Sequence, residues 1–226
     1  MRRIALDTET TGLSPLNGHR IVEIGCVELD GNIPTGKEWH TYLNPERDVP
    51  EAAQSVHGLS NNFLSDKPLF KDMSDELLLF LGNAELVIHN AKFDLGFLNH
   101  ELKMINKPII RMEKAIDTVI LARKTIPGAA ASLDALCKRF NIDLTKREKH
   151  GALLDAQLLA EVYLELTGGR QSSFQLAEEQ KEKKRKSFKN NNIDLNKNNL
   201  EAKLNDQEIK EHEKLISKLK SAIWLK

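Results

Sequence analysis

The run Arg2-Arg3-Ile4-Ala5-Leu6-Asp7-Thr8-Glu9 places two acids, one residue apart, directly behind the apolar core of a strand. Side chains alternate between the faces of a strand, so Asp7 and Glu9 share one face. Two carboxylates side by side repel each other, and burying either without a partner costs several kcal/mol. The chain must therefore fold so that something neutralises the pair. An exposed pair or an arginine partner would suffice if these were the only two acids so placed.

Two more acids occupy core-directed positions. Positions 94, 98, 102 and 105 fall on one face of a helix over 91–105, where Asp94 shares its stripe with Leu98, Leu102 and Ile105. Asp155 repeats the pattern with Leu159, Val162 and Leu166 on a helix over 150–169. Acids rarely lie on such stripes without compensation. Asp117 and Asp134 are explained locally, as a turn residue and a first-turn helix acid. No matching set of arginines or lysines occupies core-directed positions, so Asp7, Glu9, Asp94 and Asp155 point to a shared cation. All-carboxylate ligation selects a hard ion, Mg²⁺ or Mn²⁺, over zinc. Three or four carboxylates can hold two such ions roughly 3.5–4 Å apart, the arrangement that serves phosphoryl transfer. His150 stands five residues before Asp155, near the metal site, and need not ligate. Its ordinary pKa of about 6.5 suits it to take a proton from water near neutrality.

The acids are embedded in an alternation of strand and helix signals. Strands are expected over 2–9, 20–30, 36–44 and 85–90, and at the start of 114–124. On the second strand Ile21, Glu23, Gly25, Val27 and Leu29 share a face. Gly31, Asn32 and Pro34 turn the second strand into the third as an antiparallel meander. Helices are expected around 68–81, over 91–105, in the second half of 114–124, over 132–141 with Ser132 as cap, and over 150–169, ending at Gly168 and Gly169. This is an α/β fold, a mixed sheet with helices on its faces.

The 226 residues suffice for one substantial domain and an appendage. The longest clean apolar run, residues 77–81, is far too short to span a bilayer. No signal-peptide core follows Arg2 and Arg3, so a cytoplasmic chain with no membrane partner is expected. Cys26 and Cys137 have no metal-type spacing and are expected to be buried thiols. Residues 1–170 carry 20 Lys and Arg against 24 Asp and Glu, so excess lysine cannot draw in a polyanion; bound divalent metals could. Residues 171–205 are polar, with a basic run and six asparagines between 190 and 199, and are expected to form a flexible linker. Over 206–226, Ile209, His212, Ile216, Leu219 and Ile223 recur on one stripe. A single tethered helix cannot bury that stripe alone, so a partner protein is its natural sink.

DTETTGL at 7–13, HNAKFDLGFL at 89–98 and HGALLDA at 150–156 resemble the three exonuclease motifs of the DEDD superfamily. The histidine five residues before the last aspartate marks the DEDDh branch. The likeness covers residues 1–168. It implies a ribonuclease H-like sheet and a 3′→5′ exonuclease that releases nucleoside 5′-monophosphates. Asp7, Glu9, Asp94 and Asp155 would hold two divalent cations, with His150 as general base. By the same resemblance Thr10 contacts the terminal nucleotide through its backbone, Leu13 wedges against the last base, and SVHGLS at 55–60 puts His57 beside the substrate. Glu51 is also expected near the substrate.

The stretch 207–225 is similar to the C-terminal segment of the proofreading epsilon subunits of bacterial DNA polymerase III, which binds the polymerase (alpha) subunit. QSSFQL at 171–176 lies where that family carries a sliding-clamp motif; Gln171 fits it, and Phe174 with Leu176 approximates its hydrophobic pair. The resemblance implies a single-stranded 3′ end of DNA as substrate, a replisome or nucleoid location, and a small third core subunit as a further partner. A free-standing 3′→5′ exoribonuclease would carry the same active site but would not need the linker and tail. A binding protein on a degenerate nuclease fold would have no reason to keep four acids and His150.

Overall fold

The structure is a computed structural model that describes residues 1–145, 147, 149–168, 207, 210, 211 and 214. Strand β1 (Arg2–Thr10) leads through a short 3-10 turn into β2 (Ile21–Asp30) and β3 (Ile33–Tyr42). Three helices follow, α1 (Glu51–His57), α2 (Asn61–Leu64) and α3 (Phe70–Leu81). Then come β4 (Glu85–Ile88), α4 (Ala91–Met104), β5 (Ala115–Asp117), α5 (Thr118–Thr125), α6 (Leu133–Phe140) and α7 (Ala152–Leu166). The sheet order is β3-β2-β1-β4-β5. β1 runs antiparallel to β2 and parallel to β4, and β4 runs parallel to β5.

The mixed sheet expected from the sequence is therefore present. β3 begins earlier than expected, at Ile33, and accommodates Pro34 because it is an edge strand, where a missing N–H costs little. The short helices α1 and α2 escaped the sequence reading because four to seven residues are too few to show a helical period. The linker expected over 171–205, including the clamp-like stretch 171–176, lies outside the described residues. So does the segment expected over 206–226, apart from Gln207, Lys210, Glu211 and Lys214, which are helical and exposed.

The central strand β1 buries both faces. Ile4 and Leu6 pack with Ile24, Cys26, Ile88, Leu95 and Leu98 in the layer that includes α3 and α4. Ala5 faces the opposite layer with Val27, Val87, Leu159 and Val162, where α5, α6 and α7 lie. Odd-numbered positions of β1 thus face α7, which puts Asp7 and Glu9 on that side. Pairing between β1 and β4 stops at Leu6 and Ile88, so β1 runs on past the end of its parallel neighbour. The acids stand in the opening beyond the carboxyl end of β4, where α4 begins. Open α/β sheets bind ligands at such openings.

α7 reaches β1 because β2 gives way at one residue. Gly25 is the partner of Asp7 in the β1–β2 ladder. A Cβ at Gly25 would lie 2.3 Å from the Leu153 backbone nitrogen and 2.4 Å from the Ala152 carbonyl. The first turn of α7 therefore rests directly on the backbone of β2, and Asp155 enters the sheet layer one turn later. Gly25→Ala should push α7 off the sheet. Overpacking of this kind costs about 2 kcal/mol, and the urea midpoint should fall accordingly while the unfolding slope is unchanged.

Candidate active site

Asp94 and Asp155 each occupy the fourth residue of a helix, α4 and α7, and are 2 % and 3 % exposed. That position puts a carboxylate on the inward face, one turn from the positive end of the helix dipole. α4 is aimed by its entry. Asn90 takes the left-handed conformation (φ 68°, ψ 58°), which asparagine tolerates better than most residues. The Ala91 N–H donates to Asp117 Oδ2 at 3.0 Å, while Asp117 Oδ1 caps α5 by accepting from Val119 and Ile120 N–H. Asp117 is thus more than a turn residue: it fastens the start of α4 to α5. Thr8 Oγ1 then donates to Asp94 Oδ1 at 2.7 Å, fixing that carboxyl against β1.

The four acids act on one another. Burial, followed by the carboxyls of Asp94, Asp155 and Glu9, holds Asp7 well above the usual carboxylate range. Burial, with Asp155, Glu23 and Asp94 behind it, pushes Glu9 up to about 8. Burial pushes Asp94 up to about 7, against the bond from Thr8. One ligand atom each from Glu9, His150 and Asp155 lies within 4.8 Å of the others. His150 therefore stands beside the acids and within ligating range of them. Its backbone N–H is tied to the Val56 carbonyl at 3.3 Å, linking the loop before α7 to α1.

Two features were not anticipated. The sequence offered no basic residue to match the acids, yet Arg147 grips Asp155 with both arms: Nε donates to Oδ1 at 2.6 Å and Nη2 to Oδ2 at 2.7 Å. Nη2 also lies 2.9 Å from His150 Nδ1, and Nη1 donates to Asp134. Arg147 sits in irregular chain, where no periodicity marks it as inward-facing. The second feature is Glu23, a buried acid opposite Glu9 in the β1–β2 ladder, whose Oε1 pairs with His40 Nε2 at 2.8 Å. Its position beside Gly25 and Val27 on an apolar face was the available signal.

Beside the acids opens a cleft of about 560 Å³, lined by Thr8, Glu9, Thr10, Leu13, Val56 and His57 among others. Thr10 is buried, and its hydroxyl donates to the Gly12 carbonyl at 2.7 Å. Leu13 is 87 % exposed at the cleft's rim. The loop that carries it is clamped at its base, because Arg20 forms a two-armed pair with buried Glu101 of α4, at 2.7 and 2.8 Å. His57 Nδ1 accepts from the Leu59 N–H at 3.0 Å, so the ring proton resides on Nε2. That Nε2 is buried and has no hydrogen-bond partner among the described residues, and burial lowers the pKa of the ring. It is a spare donor in the wall of a cleft. Glu51 opens α1 and is exposed; Pro50, Ala52 and Ala53 line the cleft around it, and Glu51 does not.

The donor chemistry fits hard divalent cations. The carboxyls are oxygen donors, crowded enough to resist ionising together, and a divalent charge would relieve that crowding. Without metal, Glu9 and Asp94 keep protons that the unfolded chain gives up near pH 4. The stability this contributes is fully present below about pH 4 and is lost as pH rises through about 7 to 8. In chelator the urea midpoint should therefore decline from pH 5 to pH 8 at this site. The stabilisation conferred by Mn²⁺ should grow over the same interval, because the metal needs the ionised acids.

The family described as "Exonuclease" matches residues 4–163. "DNA polymerase III subunit epsilon" of Rickettsia prowazekii (strain Madrid E) is 48 % identical over 222 residues, 97 % of each chain. The protein of the same description from Escherichia coli (strain K12) is 49 % identical over 178 residues, 76 % of this chain and 73 % of that one. Among solved structures, Exonuclease X in complex with 5′ overhanging duplex DNA is similar with a TM-score of 0.57 and 27 % identity, covering 73 % of this chain and 89 % of that one. The nuclease domain of 3′hExo, a DEDDh family member bound to rAMP, shares the fold with a TM-score of 0.63 and 18 % identity, over 74 % and 91 % of the two chains.

Proposed function

Because the chain belongs to the exonuclease family, and within it to the epsilon subunits of bacterial DNA polymerase III, we propose that it proofreads DNA by hydrolysing the 3′-terminal phosphodiester at the acid cluster of β1, α4 and α7. The observation that carries this reading is the convergence of Asp7, Glu9, Asp94 and Asp155, each buried or half-buried, beside a cleft with a spare donor. The alternative of a free-standing exoribonuclease falls, because the likeness to epsilon subunits extends over 97 % of the chain rather than stopping with the nuclease motifs.

Two divalent cations, Mg²⁺ or Mn²⁺, held by the four acids would acidify water and neutralise charge developing at phosphorus and at the leaving oxygen. The chain's own residues do the rest. His150, on its exposed loop, takes the proton from the attacking water. The backbone at Thr10 holds the terminal nucleotide, Leu13 wedges against its base, and the His57 Nε2–H donates to a substrate oxygen from the cleft wall. Glu51, exposed between the cleft-lining Pro50 and Ala52, lies near the substrate.

Selectivity for a mispaired end comes from melting, since such an end costs less to unstack and unpair. Residues 171–205 act as a tether and 206–226 as the segment that docks on the polymerase (alpha) subunit. The tether replaces intrinsic affinity for DNA by effective concentration at the primer terminus, consistent with the acidic balance of residues 1–170. Residues 171–176 touch the sliding clamp, and a small third subunit completes the core. The protein works in the cytoplasm at the nucleoid; among the described residues no helix is long and apolar enough to cross a membrane.

Two experiments test this. On a primer with a mispaired 3′ end, the protein with Mg²⁺ or Mn²⁺ should release nucleoside 5′-monophosphates, and His150→Ala should lower turnover by about 10²-fold or more with an unchanged urea midpoint. Equal turnover at saturating metal would remove His150 from the role of base. Deleting residues 206–226 should abolish co-purification with the polymerase subunit and leave hydrolysis of single strands intact.

A further inference from the structure

The guanidinium of Arg147 occupies the place where the acid cluster most needs positive charge. It makes two parallel bonds to Asp155, at 2.6 and 2.7 Å, and uses both oxygens of the carboxylate. Nη2 also reaches His150 Nδ1 at 2.9 Å. The side chain is buried to the same degree as its partner, at 8 % and 4 % exposure. Nη1 is held by Asp134, in the first turn of α6, which is half-exposed and stands outside the cluster. The guanidinium thus has one anchor beyond the site and two partners within it. The positive charge of Arg147 also draws the carboxyls of Asp7 and Glu9 back toward ionisation.

One arginine takes a lone pair on each oxygen of this carboxylate and brings its positive charge to the place a divalent ion would take. Metal loading and the Arg147–Asp155 pair therefore compete for Asp155. We propose that Arg147 is the built-in counter-cation of the metal-free site and that metal loading exchanges it off Asp155, with Asp134 retaining the guanidinium as it leaves. The inference rests on the reading of the four acids as the cation site. It adds that the chain carries its own competitor for that site.

This accounts for how the acids can be assembled before any metal arrives. An Asp155 carboxylate left without a cation among three other carboxyls would be driven out of the site, and one arginine paired with it holds the first turn of α7 against β1. The exchange also ties His150 to the metal. While Arg147 is on Asp155 it donates to His150 Nδ1, which also lies 3.2 Å from Asp155 Oδ2; once the guanidinium withdraws, the ring loses the arginine and keeps only its contact with the carboxylate. A site without metal is thus closed at both its acid and its base.

The test is direct binding of Mn²⁺ to the full chain, followed by the paramagnetic signal of the free ion, with thermal denaturation in chelator and in saturating Mn²⁺. Arg147→Gln should bind Mn²⁺ on the order of tenfold more tightly than wild type. It should melt earlier than wild type in chelator and together with it in saturating Mn²⁺. Arg147→Lys, which keeps the charge and loses the fork, should fall between the two. Affinity in Arg147→Gln equal to or weaker than wild type would overturn the exchange, while saturable uptake by wild type would leave the cation site itself standing. No saturable uptake by wild type would bring down both.

Wild-type protein supplies a second readout that needs no variant. The Arg147 Nε–H resonance should be protected from solvent exchange in chelator and lose that protection on saturation with Mg²⁺. Protection that persists at saturating Mg²⁺ would refute the exchange.

Discussion

Repulsion among buried carboxylates is the constraint from which the rest of this structure follows. A buried ion without a partner costs several kcal/mol, while a buried leucine contributes about 2 kcal/mol. Left uncompensated, the acids would cancel a large part of the surrounding core. Three devices relieve them. Glu9 and Asp94 retain protons up to about pH 8 and 7, Thr8 donates to Asp94, and Arg147 pairs with Asp155. Each is a local answer to the same charge problem, and each can yield to a divalent cation.

The acids come together only because the backbone permits two close approaches. Gly25 lets the first turn of α7 lie on β2, directly across the ladder from Asp7. Asn90 turns the chain through a left-handed conformation so that α4 starts beside the free end of β1, with Asp117 fastening it from the other side. Neither residue carries the chemistry. They decide whether two helices arrive with their fourth residues facing one strand. The rim of the cleft is held in the same way, with Leu13 exposed on a loop whose base is locked by the Arg20–Glu101 pair.

Much of the fold was legible in the residues. Strong periodicity marked α4 and α7 and placed Asp94 and Asp155 on their inner faces, where the structure has them. Alternation marked β1 and β2, and Ser132 caps α6 by accepting from the Ala135 N–H. What stayed hidden had no period to reveal it. α1 and α2 are too short, Arg147 lies in irregular chain, and Asp134 read as an ordinary first-turn acid although it holds Arg147. Glu101 was visible as a letter but not as a buried acid, and although Glu23 shared a face with Ile21 and Val27, neither acid's partner could be read, since His40 and Arg20 are 17 and 81 residues away.

Local chemistry and spacing determined the acid set, the elements that carry it and the kind of ion it suits, because hydrophobic period and donor type are properties of neighbouring residues. Tertiary structure alone decided which cation faces those acids without metal, that His150 comes within ligating range, and that Nε2 of His57 is left as a spare donor in the cleft. These depend on side chains brought together from distant parts of the chain. Electrostatic and hydrogen-bond energies vary with distance in space, and order along the chain does not encode that distance.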